Sequence, residues 1–261
     1  MKTTTASGLS VLGSEIKYEQ LSYWRNARAA IFTFIFPIVF LCSFGLGSRN
    51  AKISLDGHLG VPFGLLIIPG IIAFSLTQAC YTNLAIVLSI RRQTGQLMRR
   101  RATPVPPTML IGGMIGSSLV ITFILLGVVM VFGALVFHIG FPHHVLVLIL
   151  GMALGAICFC SLGIAVQTFV KDADSAPPLI NLPLMILAFM SGNFLNVAST
   201  GTVAKIASYF PLVHLNHIVR AGFSPGSGFG LKAVDVLNLV IWSAFAIRIG
   251  ARRFKWAPAA Q

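Results

Sequence analysis

The chain has 261 residues, 56% of them hydrophobic and only 10% charged, with 19 Lys or Arg against 6 Asp or Glu and a formal net charge of +13. A water-soluble domain carries about 25% charged residues, so this composition excludes a soluble globular protein and points to one that resides in a membrane. In such a chain the basic excess reads first as an orientation signal and not as a nucleic-acid footprint.

Residues 1–12 are expected to form a disordered tail. From Ser14 to Ala30 a helical wheel places Ile16, Tyr23, Ala27 and Ala30 on one side, Glu15, Glu19, Ser22 and Asn26 on another, and Lys17, Arg25 and Arg28 on a third. With Tyr18, Tyr23 and Trp24 present, residues 13–28 read as an interfacial amphipathic helix lying in the membrane plane. Charge-free runs then mark the spans, since about 20 apolar residues cross a bilayer. They predict a first helix from Ala29 to Ser48, interrupted by Pro37, and a second from about Phe63 to Ile90. A third follows Pro104, Pro106 and Pro107 and runs from about Thr108 to Phe137; a fourth covers Val145 to Val170 and a fifth Pro178 to about Leu195. Residues 196–231 are Gly/Ser-rich and too broken for a simple span, so they read as an outer re-entrant segment of half-helices. A sixth helix runs from Ala233 to Gly250, and 251–261 form a tail. The expected fold is an all-α integral membrane protein with a six-helix domain over 29–250.

With the N-terminus inside, 14 of the 19 basic residues fall in cytoplasmic segments and only Arg49, Lys52, Lys205, Arg220 and Lys232 lie outside. Both termini are therefore expected in the cytoplasm. Cys42, Cys80, Cys158 and Cys160 sit in apolar stretches and imply no disulfide framework.

Several chemistries are absent from the pattern. A gradient-driven transporter needs ionisable groups at membrane depth, yet the only acid in a span is Asp235, near an end. No phosphate-binding loop of the Gly-x-x-x-x-Gly-Lys-Ser/Thr type occurs, so a nucleotide motor would be a separate polypeptide. An intramembrane protease wants Ser in a Gly-x-Ser-Gly setting, which Ser191 lacks. Asp172 and Asp174 read as a solvated loop more than a metal site. His214 and His217 share a helical face at spacing i, i+3, but with no third ligand nearby they read as interfacial packing, and His143-His144 as a turn. No metal site and no cofactor bound by this chain are expected. Gly112-x-x-x-Gly116 and Gly151-x-x-x-Gly155 allow close helix approach, either across a subunit interface or within the chain.

The most informative stretch is Ser89 to Pro107, which carries five Arg and no acid and centres on Gln93 to Arg101, long enough for a short surface helix. In its order Arg92, Gly95, Leu97, Arg100, Thr103, Pro104, this loop resembles the coupling helix of the permease subunits of type-2 ABC exporters, the six-helix half-transporters of drugs, nodulation factors and polysaccharides. That family usually has an acid near the loop's start, where this chain has Arg91 and Arg92. Pro183-Leu184 with Phe189-Met190-Ser191-Gly192 is similar to the family's fifth helix, and Tyr209-Phe210-Pro211-Leu212-Val213-His214 with Arg220 to its segment before helix six.

The resemblance implies a membrane subunit, not itself an enzyme, of an ATP-driven exporter that moves a lipophilic or amphipathic substrate by alternating access. Its partners would be two copies of a cognate ATPase carrying the ATP and Mg, a second permease (the same chain or a paralogue) and membrane lipid, in the plasma (inner) membrane of a prokaryote. Arg91, Arg92, Gly95, Leu97, Arg99, Arg100, Arg101, Thr103 and Pro104, within a coupling loop at 91–107, would meet the ATPase. The pathway would be lined by helices one, two and five, with Phe32, Phe36, Phe40, Gln78, Asn83, Asn181, Phe189, Asn193 and Phe194 as candidates, because amides among aromatic faces suit an amphipathic cargo. A polysaccharide or lipid-linked glycan exporter is the alternative within the family, and an intramembrane lipid-modifying enzyme the alternative outside it.

Overall fold

A computed structural model of the protein describes residues 8–45, 52–55, 58–103, 105–137, 142–191, 202–223, 232–254 and 256. Within them the chain is almost wholly helical, because a backbone in hydrocarbon must satisfy its own N–H and C=O groups. The order is α1 (Gly8–Arg25), α2 (Ala27–Gly45), strands β1 (Lys52–Leu55) and β2 (His58–Pro62), α3 (Phe63–Thr77), a π-helical turn (Gln78–Thr82), α4 (Asn83–Gln93) and α5 (Gln96–Arg101). Then come α6 (Pro107–Phe137), α7 (Val145–Gln167), α8 (Ala176–Met190), α9 (Thr202–Ala207), α10 (Pro211–Phe223) and α11 (Ala233–Arg253). The strands pair antiparallel, Lys52 with Pro62, Ile53 with Val61 and Leu55 with His58, with a register shift between Ile53 and Leu55.

Four stretches among the described residues are long and apolar enough to cross a membrane: Ile67–Gln93, Pro107–Val136, Val145–Gln167 and Ala233–Arg253. They match the expected second, third, fourth and sixth spans. The expected first and fifth correspond to α2 and α8, whose described apolar stretches, Thr33–Ser43 and Ala176–Met190, are shorter. Burial separates axis from wall. The apolar window of Ile67–Gln93 is 78% buried, against 28% for those of Pro107–Val136 and Ala233–Arg253. The rod α3–π–α4 is the axis of the bundle, while α6 and α11 present Val131, Leu135, Leu237, Ile241 and Phe245 outward, the surface that acyl chains would wet.

Glycine sets how closely the helices approach. A Cβ on Gly163 of α7 would lie 2.8 Å from the Tyr81 carbonyl oxygen, so α7 touches the backbone of the π turn. Gly151 and Gly155 of the same helix receive Ile218 and Leu215 of α10, and Gly112, Gly113 and Gly116 of α6 receive Leu12, Glu15 and Ile16 of α1. Both small-residue pairs noted in the sequence thus pack within the chain.

Two expectations need correction. The tail was expected to extend to residue 12, but α1 starts at Gly8, because the groove on α6 gives Leu12 a seat. The acids of this helix were expected on a separate polar side. Instead Glu19 is buried beside Tyr23, and the Glu15 Cβ lies on Gly113. In the re-entrant segment, residues 196–201 and 224–231 lie outside the described residues, as do 192–195 at the end of the expected fifth helix. The α10 helix between them is no loose excursion, since 11 of its 13 residues are buried.

Gly163→Ala is expected to lower the thermal unfolding midpoint in detergent, because the clash is with backbone and such overpacking costs roughly 1–3 kcal/mol. Gly127→Ala, whose Cβ meets nothing within 4 Å, should leave the midpoint unchanged or slightly raised.

Candidate functional site

The α4 helix ends in two buried arginines, and the chain folds around the need to supply them with oxygen. Arg91 makes a two-pronged pair with Glu19, Nη1 to Oε1 at 2.8 Å and Nη2 to Oε2 at 2.7 Å. Arg92 donates from Nη1 to the Gln167 carbonyl at 3.3 Å and from Nη2 to the carbonyls of Lys171 at 3.0 Å and of Val170. It thereby caps the C-terminal end of α7, where carbonyls have no partner within the helix and the dipole favours a cation. The Gln93 side chain reinforces this tie by accepting from the Ala173 N–H at 2.8 Å.

The chain then reverses through Thr94 and Gly95. Gly95 has φ +70, the left-handed conformation that any side chain disfavours. On the next short helix, α5, Leu97 is buried. Arg100 Nη1 reaches Glu19 Oε1 at 2.9 Å and Glu15 Oε2 at 3.4 Å, with its guanidinium 4.3 Å from the centre of the Tyr18 ring. Burial disfavours the charge on Arg100, but Tyr18, Glu19 and Glu15 outweigh it and hold its pKa above the ordinary arginine value. Glu15 and Glu19 stand four residues apart, on one face of α1.

The loop residues expected to meet an ATPase therefore divide. Arg91, Arg92, Leu97 and Arg100 turn inward and hold the loop in place. Arg99, Arg101 and Thr103 are exposed: Arg99 bonds the Thr94 carbonyl at 3.3 Å, Arg101 lies 5.8 Å from the Trp256 ring, and Thr103 Oγ1 donates to the Arg100 carbonyl at 2.6 Å. Pro104 lies outside the described residues. Glu15 and Glu19 were missed as site residues, although two acids one turn apart, in a chain with six, were the signal.

The residues expected to line a pathway also divide. Phe36, Gln78, Asn83 and Asn181 come together in one cavity of about 340 Å³ between α2, the π turn with the start of α4, and α8, completed by Thr33, Pro37, Ser75, Thr82 and Ile86. The rings of Phe36 and Phe40 are 4.9 Å apart, so Phe40 backs the wall. Phe189 is 43% exposed on α8. Phe32 lies in α2 with its side chain outside the described set, and Asn193 and Phe194 lie outside the described residues. The π turn is the local cause of the polar wall. A wider turn displaces successive side chains from the α-helical rows, and such turns recur at functional sites. Ser75 Oγ, Gln78 Oε1 and Thr82 Oγ1 are buried without a hydrogen-bond partner among the described residues.

Asn83 also lines a second cavity, of about 300 Å³, whose wall includes Glu19 and Arg91. One helix therefore carries both the cavity and the lock. Asn83 and Arg91 are eight residues apart, about 12 Å along an α-helix. Asp172 and Asp174 are exposed and belong to no metal-ligand group among the described residues; the group found there is His214, His217 and Asp235. Burial holds the pKa of His217 below its ordinary value, with Asp235 opposing.

A family model described as ABC-2 type transporter matches residues 12–224, from α1 through α10. No curated protein matches the chain.

Removing one member of a buried ion pair strands the other, at roughly 3–5 kcal/mol. Glu19→Gln and Arg91→Ala are each expected to lower stability on that scale, and the double variant should lose much less than the two effects added. Additive losses in chemical denaturation of the purified chain would show that the pair is not coupled.

Proposed function

The chain belongs to the ABC-2 type transporter family and is a multi-pass membrane protein, and from that premise we propose that it is the permease subunit of an ATP-driven exporter of small amphipathic molecules. The observation that carries the reading is the sharing of α4 between the polar cavity at Asn83 and the ion-pair lock at Arg91. A load applied to the exposed side of α5 passes through Arg100 and Arg91 to Glu19, and through Arg92 to the end of α7. The loop therefore moves with α1, α4 and α7 as one body.

In this reading Arg99, Arg101 and Thr103 face a separate ATPase, present in two copies. The inward-facing arginines transmit its closure, and Gly95 sets the angle between α4 and α5. With α2 and α8 completing the count, six helices cross the membrane with both termini in the cytoplasm of a prokaryote. A second permease faces the open side of the cavity, and alternating access occurs along their seam. The cavity favours a molecule with an aromatic or aliphatic body and a few polar groups: Phe36 and Pro37 supply the apolar wall, while Ser75, Gln78 and Thr82 supply polar atoms that make no hydrogen bond within the described residues.

Replacing Gly95 to Arg101 by a Gly/Ser linker of equal length should abolish transport and permease-dependent ATP hydrolysis in the reconstituted complex. Unchanged turnover would remove the coupling role. Gln78→Leu should raise the concentration of an amphipathic cargo needed for half-maximal stimulation roughly five- to tenfold, because one hydrogen bond is worth about 1 kcal/mol; an unchanged value would exclude this cavity from the pathway.

A further inference from the structure

At the end of the bundle opposite the arginine lock, three metal-ligating side chains from two helices converge. His214 and His217 lie on one face of α10, and Asp235 lies in the first turn of α11. His214 Nδ1 is 2.6 Å from Asp235 Oδ1, and His217 Nδ1 is 3.2 Å from the same oxygen. The three candidate ligand atoms all lie within 4.8 Å of one another. We propose that His214 Nδ1, His217 Nδ1 and an Asp235 carboxylate oxygen form a binding site for a divalent transition-metal ion of the Zn²⁺ class, which clamps α10 to α11.

The geometry supports a metal in three ways. First, the other nitrogen of His214, Nε2, lies 2.8 Å from the Ser208 carbonyl oxygen. That oxygen can only accept, so Nε2 carries the hydrogen, and in the neutral ring the lone pair is on Nδ1, aimed at the cluster. A ligating histidine almost always has this second hydrogen bond, which fixes its tautomer and orientation. Second, a neutral Nδ1 and a carboxylate oxygen are both acceptors and repel at such a distance unless a cation, proton or metal, sits between them. Asp235, only 3% exposed, puts its oxygen against the His214 Nδ1 so assigned, with His217 Nδ1 also within reach of it. Third, bonds of about 2.0–2.2 Å in a tetrahedral site set ligand atoms roughly 3.4 Å apart. The separations here, from 2.6 Å to at most 4.8 Å, bracket that value, so small side-chain shifts suffice.

Charge and access also favour an ion that comes and goes. The His217 side chain is 48% exposed, which leaves a solvent side for a fourth, water ligand. Arg220, which bears electrostatically on His217, opposes a cation, and the Asp235 carboxylate offsets it. The sequence expectation of no third ligand fails because Asp235 lies 18 residues beyond His217 and reaches it only through the packing of α10 on α11.

The test uses the full chain purified in detergent and stripped with a chelator, then titrated with Zn²⁺ or Co²⁺. One ion per chain, a raised thermal midpoint with Zn²⁺ and the visible absorption of four-coordinate Co²⁺ are expected. His217→Ala, at a side chain 48% exposed, should abolish the absorption and the metal-dependent rise of the midpoint above its own apo value. Asp235→Asn should do the same for the ion, and His143→Ala, in the exposed turn before α7, should retain both signals. The proposal is overturned if the parent chain gives no stoichiometric binding, or if His217→Ala binds as the parent does, in which case the cluster is a proton-bridged tie only.

Discussion

A guanidinium taken out of water must find oxygen in fixed positions, and at the end of α4 two adjacent residues impose that demand at once. Because neighbouring residues on a helix point about 100° apart, Arg91 and Arg92 cannot share a partner. One draws in the acidic face of α1, and the other draws in the last carbonyls of α7. The position of the N-terminal helix, the closure of α7 and the orientation of the basic turn all follow from that divergence. The glycines of α6 and α7 make the same arrangement sterically feasible, by giving side chains of α1 and α10 a seat on faces where a larger residue would hold them off.

This changes how the basic loop is understood. Five arginines without an acid suggest a surface made for a partner or for anionic lipid. Yet in the folded chain three of them, Arg91, Arg92 and Arg100, are occupied by the protein's own oxygens, and the outward display reduces to Arg99 and Arg101. The charge of the inward-facing Arg91 and Arg100 is met by Glu15 and Glu19 of α1, so the loop's balance is struck with neighbours in space and not in sequence.

How much of this was legible follows from which signals are local. Spans announce themselves as charge-free runs, so the helices around Ile67–Gln93, Pro107–Val136, Val145–Gln167 and Ala233–Arg253 were readable within a few residues. Polar side chains inside such runs stand out for the same reason, which is why Gln78, Asn83 and Asn181 can be singled out in the sequence, whereas the cavity they share with Phe36 depends on how α2, α4 and α8 pack. The hairpin at Lys52–Pro62 was missed, although Asp56-Gly57 between apolar and β-branched residues is a hairpin signal. The π turn was not readable, because a helix apolar on every side has no periodicity from which a register change can be detected. The inward aim of Arg91 and the partnership of Asp235 with the histidines are tertiary facts, decided by residues 72 positions away for the first and 21 and 18 positions away for the second.

The π turn has one more consequence. A wider turn there shifts the row of side chains between α3 and α4, and Ala79, Cys80, Tyr81 and Thr82 within it are all buried. Gln78 and Thr82 line the cavity, while the Tyr81 carbonyl is the seat of Gly163 on α7. The cavity wall at this turn therefore cannot be altered independently of the contact that holds α7 to the rod.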